Sequence, residues 1–158
     1  SFAHTPAAAI PVLEVGGARL TLFVGEAFGA VSPVRAASPT LLLDAQLAAG
    51  DAFPVPLAEE RALYGVDGPF LLDGEPVPAH TLLRLAPGEE PLVSAEAAVR
   101  VALVGGAPLG PRFIWWNFVS SRKERIERAA EDWAAGRFPP VPGETEFIPL
   151  PPRPASGA

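Results

Sequence analysis

The chain has 158 residues, of which 49% are hydrophobic and 19% are charged, and its formal net charge is −6. This length and balance predict one globular domain with a real core and exclude a disordered chain. The acidic charge excludes the basic surface that a nucleic-acid-binding domain presents. Because the sequence contains no cysteine, disulfides, thiolate metal ligands and a cysteine nucleophile are excluded as well. No apolar run is long enough to span a membrane, and we expect no membrane contact.

The first part of the chain predicts an irregular arm followed by a β-hairpin. Residues 1–11 are rich in Ala and Pro and show no hydrophobic period. Two β-forming runs, 12–15 and 18–24, follow and are separated by Gly16 and Gly17. A two-residue Gly-Gly loop between such runs favours a tight hairpin.

Five further β-segments come next, each bounded by Gly, Pro or Asp-Gly turns. They are predicted at residues 40–47, 60–66, 70–72, 81–85 and 98–104. Strands that recur about every ten residues with turn residues between them are typical of a β-sandwich or a small barrel. We therefore expect residues 12–106 to form one antiparallel β-barrel.

An aromatic run at residues 113–119 predicts one more strand. Neighbouring side chains of a strand point to opposite faces, so Trp115 and Trp116 would each need cover on a different side. A single small sheet with one solvent-exposed face cannot cover both tryptophans. We expect at least one of these two tryptophans to pack on this domain. We expect the other, or the hairpin at 12–24, to contact a second polypeptide, since exposed apolar patches mark interaction sites.

Residues 121–135 predict the single substantial helix. Ser121 followed three residues later by Glu124 predicts a capping box at its start, and Gly136 predicts its end. Residues 139–158 are rich in proline and predict an extended tail. An apolar stripe at helical spacing is formed by Ile126, Ala129, Ala130 and Trp133.

The sequence has no methionine, not even at position 1. We expect the chain to be processed, trimmed or part of a longer polypeptide. Removal of an initiator methionine before Ser1 is the alternative.

Several segments together resemble the C-terminal half of a bacterial pirin-family protein. The matching segments are residues 2–6, 25–29, 38–40, 66–68, 108–110, 114–121 and 136–138. The most specific of them contains Trp-Trp-Asn-Phe-Val-Ser-Ser at 115–121. The resemblance implies an all-β, cupin-like fold, an RmlC-type jelly-roll barrel with one C-terminal α-helix. It implies a domain over residues 1–138, with an arm (1–11), a barrel (12–106) and an aromatic strand plus helix (107–138), before the tail.

Pirins resemble a pair of cupin barrels in one polypeptide. The first barrel carries a mononuclear iron held by three histidines and a glutamate, and the second is usually degenerate. Several members show quercetin 2,3-dioxygenase activity, and some act as nuclear transcription cofactors. This chain matches the second barrel. The resemblance therefore implies a cytoplasmic half whose partner is an N-terminal cupin half or a second copy of itself.

The iron ligands of a cupin are not matched in this chain. Such a site needs a His-x-His pair on one strand, a Glu soon after and a third His on a later strand, all converging inside the barrel. When the strands are aligned with the family, Pro54 and Pro56 take the positions of the pair, and Val93 falls near the later histidine. Only His4 and His80 exist, and both are expected at the surface. The resemblance thus implies no catalytic residue, metal or cofactor here, with iron only in the N-terminal cupin.

Asp44 is a weak candidate for a pocket residue because it lies inside an apolar strand. A buried carboxylate needs a partner, since burying a bare charge is costly. We favour a structural ion pair or an outward orientation. The arginines considered as partners are Arg35, Arg61 and Arg84.

Glu60 and Tyr64 are the other weak pocket candidates. Glu60, together with Glu59 and His80, is a conceivable remnant of a ligand set. A solvated position or a pair with Arg61 is the favoured interpretation. Tyr64 lies between apolar neighbours, and we expect it in the core.

Two functional hypotheses follow. In the first, the chain is a degenerate, non-metal-binding cupin half that supports an iron-binding barrel outside this sequence. In the second, it is a self-sufficient small cupin, a metal-independent isomerase or a small-ligand-binding module. The missing histidines favour the first. The candidate interaction surface comprises Trp115, Trp116, Phe118 and Trp133. Whether the intact protein is a dioxygenase or a transcriptional partner stays open.

Overall fold

The computed structural model of the chain describes residues 3–140, 142–143 and 145–152. Ser1 and Phe2 of the predicted arm lie outside the described residues, as do residues 141, 144 and 153–158 of the predicted tail. The described residues divide into two compact units, one ending at Pro108 and the other beginning at Leu109.

The first unit is built mainly from two antiparallel sheets, preceded by a short 3-10 helix at Ala7–Ala9. In spatial order, the six-stranded sheet contains β1 (Val12–Val15), β2 (Ala18–Val24), β5 (Thr40–Leu47), β12 (Val99–Gly106), β7 (Glu60–Gly65) and β10 (Leu82–Arg84). The four-stranded sheet contains β6 (Ala52–Pro54), β11 (Leu92–Ser94), β8 (Phe70–Leu72) and β9 (Glu75–Val77). A separate small hairpin is formed by β3 (Glu26–Ala27) and β4 (Ala30–Val31).

One apolar core joins the two sheets. On β5 the alternate side chains Leu41, Leu43, Ala45 and Leu47 are all buried, as the period of two along a strand requires. The four-stranded sheet contributes aromatic and branched side chains to the same cluster, among them Phe53 and Phe70. Burying one such Leu or Phe contributes about 1.5–3 kcal/mol. The predicted all-β, cupin-like jelly roll is confirmed.

The predicted tight turns are confirmed by backbone geometry. Gly16 and Gly17 have φ values of +56° and +88°, and Asp73 and Gly74 have +51° and +86°. Two consecutive positive φ values match the right-handed twist of a hairpin. A Cβ at Gly16 would lie 1.8 Å from the carbonyl oxygen of Ala52, so this turn position accepts only glycine.

The second unit contains a short hairpin and one helix. The hairpin consists of β13 (Phe113–Trp115) and β14 (Phe118–Ser120). The prediction of one continuous strand over 113–119 is therefore wrong. Trp116 lies in the turn with φ +54°, where the chain reverses direction. Trp115 and Trp116 are consequently not neighbours on opposite faces of one strand.

The helix α1 spans Lys123–Ala134, and its N-cap is Arg122 without a side-chain capping hydrogen bond. The predicted capping box of Ser121 and Glu124 is therefore wrong, because the helix begins two residues later than Ser121. The predicted end is confirmed, since Gly136 has φ +65° just beyond the helix. Among the described residues, no helix is long and apolar enough to cross a membrane.

Candidate functional site

Three inward-facing positions of the first unit, close to those at which a cupin metal site was sought in the sequence, carry apolar side chains. Phe53 and Val93 are cross-strand neighbours on β6 and β11, and both are 0% exposed, as is Val55. Pro54 is exposed and Pro56 half-buried, so the inward-facing pair is Phe53 and Val55 and not the two prolines. Neither pair of side chains offers a donor atom to a metal.

The described residues therefore do not supply the nitrogen and oxygen donors that an iron site needs. Within the described residues, no group of three or more His, Cys, Asp or Glu side chains is placed to hold a metal ion. His4 and His80 are both exposed. His80 lies in the turn between β9 and β10, with φ +59°, and its backbone N–H donates to the carbonyl oxygen of Gly65, the last residue of β7, at 2.8 Å.

Asp44 lies on the outward face of the six-stranded sheet. Its side chain is 9% exposed and pairs with the Nε–H of Arg100 at 2.5 Å, and the Arg100 side chain is 49% exposed. In the strand register, Asp44 lies opposite Ala102, and Arg100 opposite Gln46, so the pair is diagonal across two strands. The structural ion pair that we favoured for Asp44 is present. Its partner is Arg100 and not Arg35, Arg61 or Arg84.

Glu60 and Tyr64 also lie on that outward face, at opposite ends of β7. Glu60 is 3.9 Å from Arg84, and both side chains are mostly exposed, so of the two favoured alternatives Glu60 takes the solvated position, and its ion-pair partner is Arg84 and not Arg61. Tyr64 is half-buried between Ala102 and Leu82 in the strand register. Tyr64 is not part of the core cluster that we expected it to join. It is adjacent to the inward-facing Leu63 on β7, so its side chain points to the opposite, outward face. The structure does not bring these two residues together with Asp44 in one pocket.

Arg61 is the charged residue whose role the sequence did not reveal. It occupies an inward-facing position of β7 and is 3% exposed. Its guanidinium donates to the carbonyl oxygens of Pro56 at 3.2 Å, Ala86 at 3.3 Å and Glu89 at 2.5 Å. These bonds tie the connection before β7 to the loop after β10. The sequence did carry one signal for this role. Arg61 lies two residues before Leu63 on the same strand, so the two side chains share the inward face.

In the second unit, the predicted interaction residues form a single aromatic cluster. Its members are Trp115, Trp116, Phe118, Trp133, Phe138 and Phe147. Trp133 is central, because its ring centroid lies 5.2 Å from Trp116, 5.6 Å from Phe138 and 5.7 Å from Phe147. Edge and stacked arrangements of this kind stabilise aromatic pairs by about 0.5–1.5 kcal/mol each. Trp115 and Trp116 are both half-buried in this unit.

Part of the proline-rich tail lies on this cluster. The Nε1–H of Trp133 donates to the carbonyl oxygen of Ile148 at 2.8 Å, next to the stacked ring of Phe147. Phe147 and Ile148 are nevertheless 59% and 64% exposed. The return of this segment to the helix had no signal in the sequence.

The hairpin presents its other face to solvent. Ile114 and Val119 are cross-strand partners and are 71% and 60% exposed. Strand alternation places them opposite to Trp115 and Phe118, which belong to the aromatic cluster. A two-stranded hairpin is marginally stable by itself, and an exposed apolar pair on its free face marks a candidate interaction surface.

Comparisons with known proteins agree with this geometry. A family model described as the pirin C-terminal cupin domain matches residues 42–139. A pirin-like protein of Caulobacter vibrioides is 43% identical over 150 residues, covering 94% of this chain and 52% of that protein. A protein of Pseudomonas aeruginosa described as a putative quercetin 2,3-dioxygenase is 35% identical over 142 residues, covering 86% of this chain and 44% of that protein.

Among solved structures, a quercetin 2,3-dioxygenase from Acinetobacter baumannii superimposes with a TM-score of 0.81 at 27% identity, covering 94% of this chain and 52% of that one. The chain thus spans about half the length of the relatives it matches.

Proposed function

The chain belongs to the pirin family, as a C-terminal cupin domain, and from this premise we propose that it is a structural half without a metal site or catalysis of its own. It supports an N-terminal cupin that binds iron and has quercetin 2,3-dioxygenase-like activity. That activity appears in the names of a bacterial relative and of a structural neighbour.

The observation that carries this proposal is the filling of the barrel interior. Phe53, Val55 and Val93 are fully buried apolar side chains, and Phe53 and Val93 are cross-strand partners. Iron bound by histidine and carboxylate needs nitrogen and oxygen donors with open coordination positions. Replacing those donors by close-packed apolar groups supplies core stability instead.

Oxygen uptake with quercetin tests this proposal. The isolated chain should consume oxygen no faster than buffer with the same iron, whereas the Acinetobacter baumannii enzyme serves as the positive control. Uptake that scales with the concentration of the isolated chain and disappears on addition of a chelator would show that the barrel is catalytic after all.

The proposed partner is the N-terminal cupin half, and the proposed contact is the exposed face of the β13–β14 hairpin. The relatives are about twice as long as this chain, so each contains a second half that could cover such a face. Ile114 and Val119 supply the apolar centre, because burial of two β-branched side chains contributes about 1.5–3 kcal/mol each. The aromatic cluster behind them holds the hairpin in place.

Sedimentation of the chain with the N-terminal half of the Caulobacter vibrioides relative tests this contact. We expect a one-to-one complex that Ile114→Asp weakens at least tenfold. Leu82→Asp is the matched control, because Leu82 is 65% exposed on β10 in the first unit and should not affect the complex. A homodimer of the chain, or equal effects of the two substitutions, would contradict the proposal.

Among the described residues, no buried titratable group supports the isomerase that the second hypothesis names beside a small-ligand-binding module. Acid–base chemistry needs a titratable group facing the reacting carbon. Among the described residues, the buried charged side chains are Asp44 and Arg61. Asp44 is paired on the outward face, and Arg61 donates to three carbonyl groups.

A further inference from the structure

The aromatic cluster of the second unit has a short segment of the same chain seated on it. We call residues 145–150 the return segment. Phe147 of this segment stacks on Trp133, with ring centroids 5.7 Å apart and ring planes 21° apart. The backbone oxygen of Ile148 accepts a hydrogen bond from the Nε1–H of Trp133 at 2.8 Å. One tryptophan therefore contacts both a side chain and a backbone carbonyl of the segment.

These two contacts are of the kind by which aromatic surfaces bind extended peptides that contain proline. The return segment is neither helix nor strand, and Ile148 precedes Pro149. A residue before proline is restricted to extended backbone, so less conformational entropy is lost on binding. The indole N–H can bond the carbonyl of any residue. The selectivity therefore comes from the stacked ring and from the proline that fixes the backbone.

The return segment covers the aromatic cluster incompletely. Phe147 and Ile148 are 59% and 64% exposed. A hollow of about 430 Å³ is lined by these two residues together with Trp133, Gly136 and Phe138, among others. Open space of this kind lacks the dispersion contacts that a close-packed interface supplies. Because neither exposed side chain belongs to a packed core, another peptide can replace the segment without unfolding the unit.

We propose that the aromatic cluster is a docking site for a short extended peptide of a partner protein, with an aromatic residue, an aliphatic residue and a proline in succession. The return segment occupies this site in the same chain and competes with the partner. Eight residues separate Phe138 from Phe147, and a short tether gives an effective concentration of about 1 mM. For a peptide with a Kd of about 0.1 mM, about one site in ten is then open. The site does not use the hairpin face with Ile114 and Val119, so this inference is independent of the proposed support of a second cupin half.

Fluorescence polarisation of a fluorescein-labelled peptide with the sequence of residues 145–152, Thr-Glu-Phe-Ile-Pro-Leu-Pro-Pro, tests the proposal. The release variant, Phe147→Asp with Ile148→Asp, frees the site and should bind the peptide about tenfold more tightly than the unchanged chain. The matched control is Leu57→Asp with Leu82→Asp, since these side chains are 58% and 65% exposed in the first unit. The control should bind the peptide as the unchanged chain does. A peptide with Asp in place of Phe and Ile should bind none of the three proteins.

The indole N–H signal of Trp133 in NMR spectra shows where the peptide binds, and its loss in Trp133→Phe assigns it. The signal should move in the release variant, and saturating peptide should return it toward its position in the unchanged chain. Adding Trp133→Phe to the release variant removes the donor and should weaken peptide binding about 2- to 10-fold. The spectra of the free variants show whether each one is folded.

Four results would overturn the proposal. Equal affinity of the unchanged chain and the release variant would show that the return segment does not occupy the site. Binding that does not saturate, or equal binding of the peptide with two Asp residues, would show that the cluster is no docking site. An unmoved Trp133 signal would place the peptide elsewhere. A dimer of the unchanged chain that the release variant loses would show that two copies exchange the segment, in place of the contact within one chain.

Discussion

Replacing Arg61 by methionine should be among the most destabilising single changes in the first unit. Methionine keeps much of the side-chain length but removes every donor. The substitution leaves the carbonyl oxygens of Pro56, Ala86 and Glu89 without the guanidinium that now bonds them. A buried acceptor left unsatisfied costs about 1–3 kcal/mol, and water can reach some of these loop carbonyls. We therefore expect a total loss of about 2–4 kcal/mol in the free energy of unfolding.

Arg84→Met is the matched control for this prediction. Arg84 lies on the neighbouring strand β10, its side chain is 78% exposed, and its contact with Glu60 is long at 3.9 Å. An exposed pair of this kind contributes little, so the loss should be below about 0.5 kcal/mol. Arg61→Lys should fall between the two, because an ammonium group keeps the charge but reaches fewer carbonyl oxygens.

Urea unfolding followed by far-UV circular dichroism measures these differences. Tryptophan fluorescence is unsuitable, because Trp115, Trp116 and Trp133 all lie in the second unit. If Arg61→Met unfolds within about 0.5 kcal/mol of Arg84→Met, the guanidinium does not hold the two loops together, and the reasoning is refuted.

Three further changes follow from the same contacts. Arg100→Met should cost about 1–3 kcal/mol in urea unfolding and more than Asp44→Asn, because it leaves a nearly buried carboxylate without its partner; the reverse order would contradict this. Gly16→Ala should lower the melting temperature far more than Gly74→Ala, since only the first places a Cβ against a backbone oxygen, at 1.8 Å; equal losses would argue against that clash. Trp133→Phe should leave stability nearly unchanged but speed hydrogen exchange at residues 145–150, and unchanged exchange would mean that the indole bond does not hold the tail.

Strong local signals made part of the fold predictable. The strand β5 was predicted with its observed bounds, because a continuous apolar run ends at a turn. The first hairpin followed from Gly16 and Gly17, whose positive φ values few other residues adopt. The family and the jelly roll followed from the aromatic motif together with the regular spacing of the strands.

Short strands and long-range pairs were not predictable. The strands β6 and β11 have three residues each, and Pro54 in β6 is a local signal against a strand. They are strands because they pair with each other. The partner of Asp44 lies 56 residues away and is chosen by the register of β5 and β12. The turn at Trp116 was missed because a bulky residue with positive φ is uncommon.

Iron content of the isolated chain tests the central claim most directly. The protein is incubated with excess ferrous iron without oxygen, desalted and analysed by inductively coupled plasma mass spectrometry. Because Phe53, Val55 and Val93 fill the barrel interior, the account predicts iron far below one atom per chain, unchanged in a His4→Ala, His80→Ala variant. One tightly held iron per chain, lost in that double variant, would contradict the claim that this half carries no metal site.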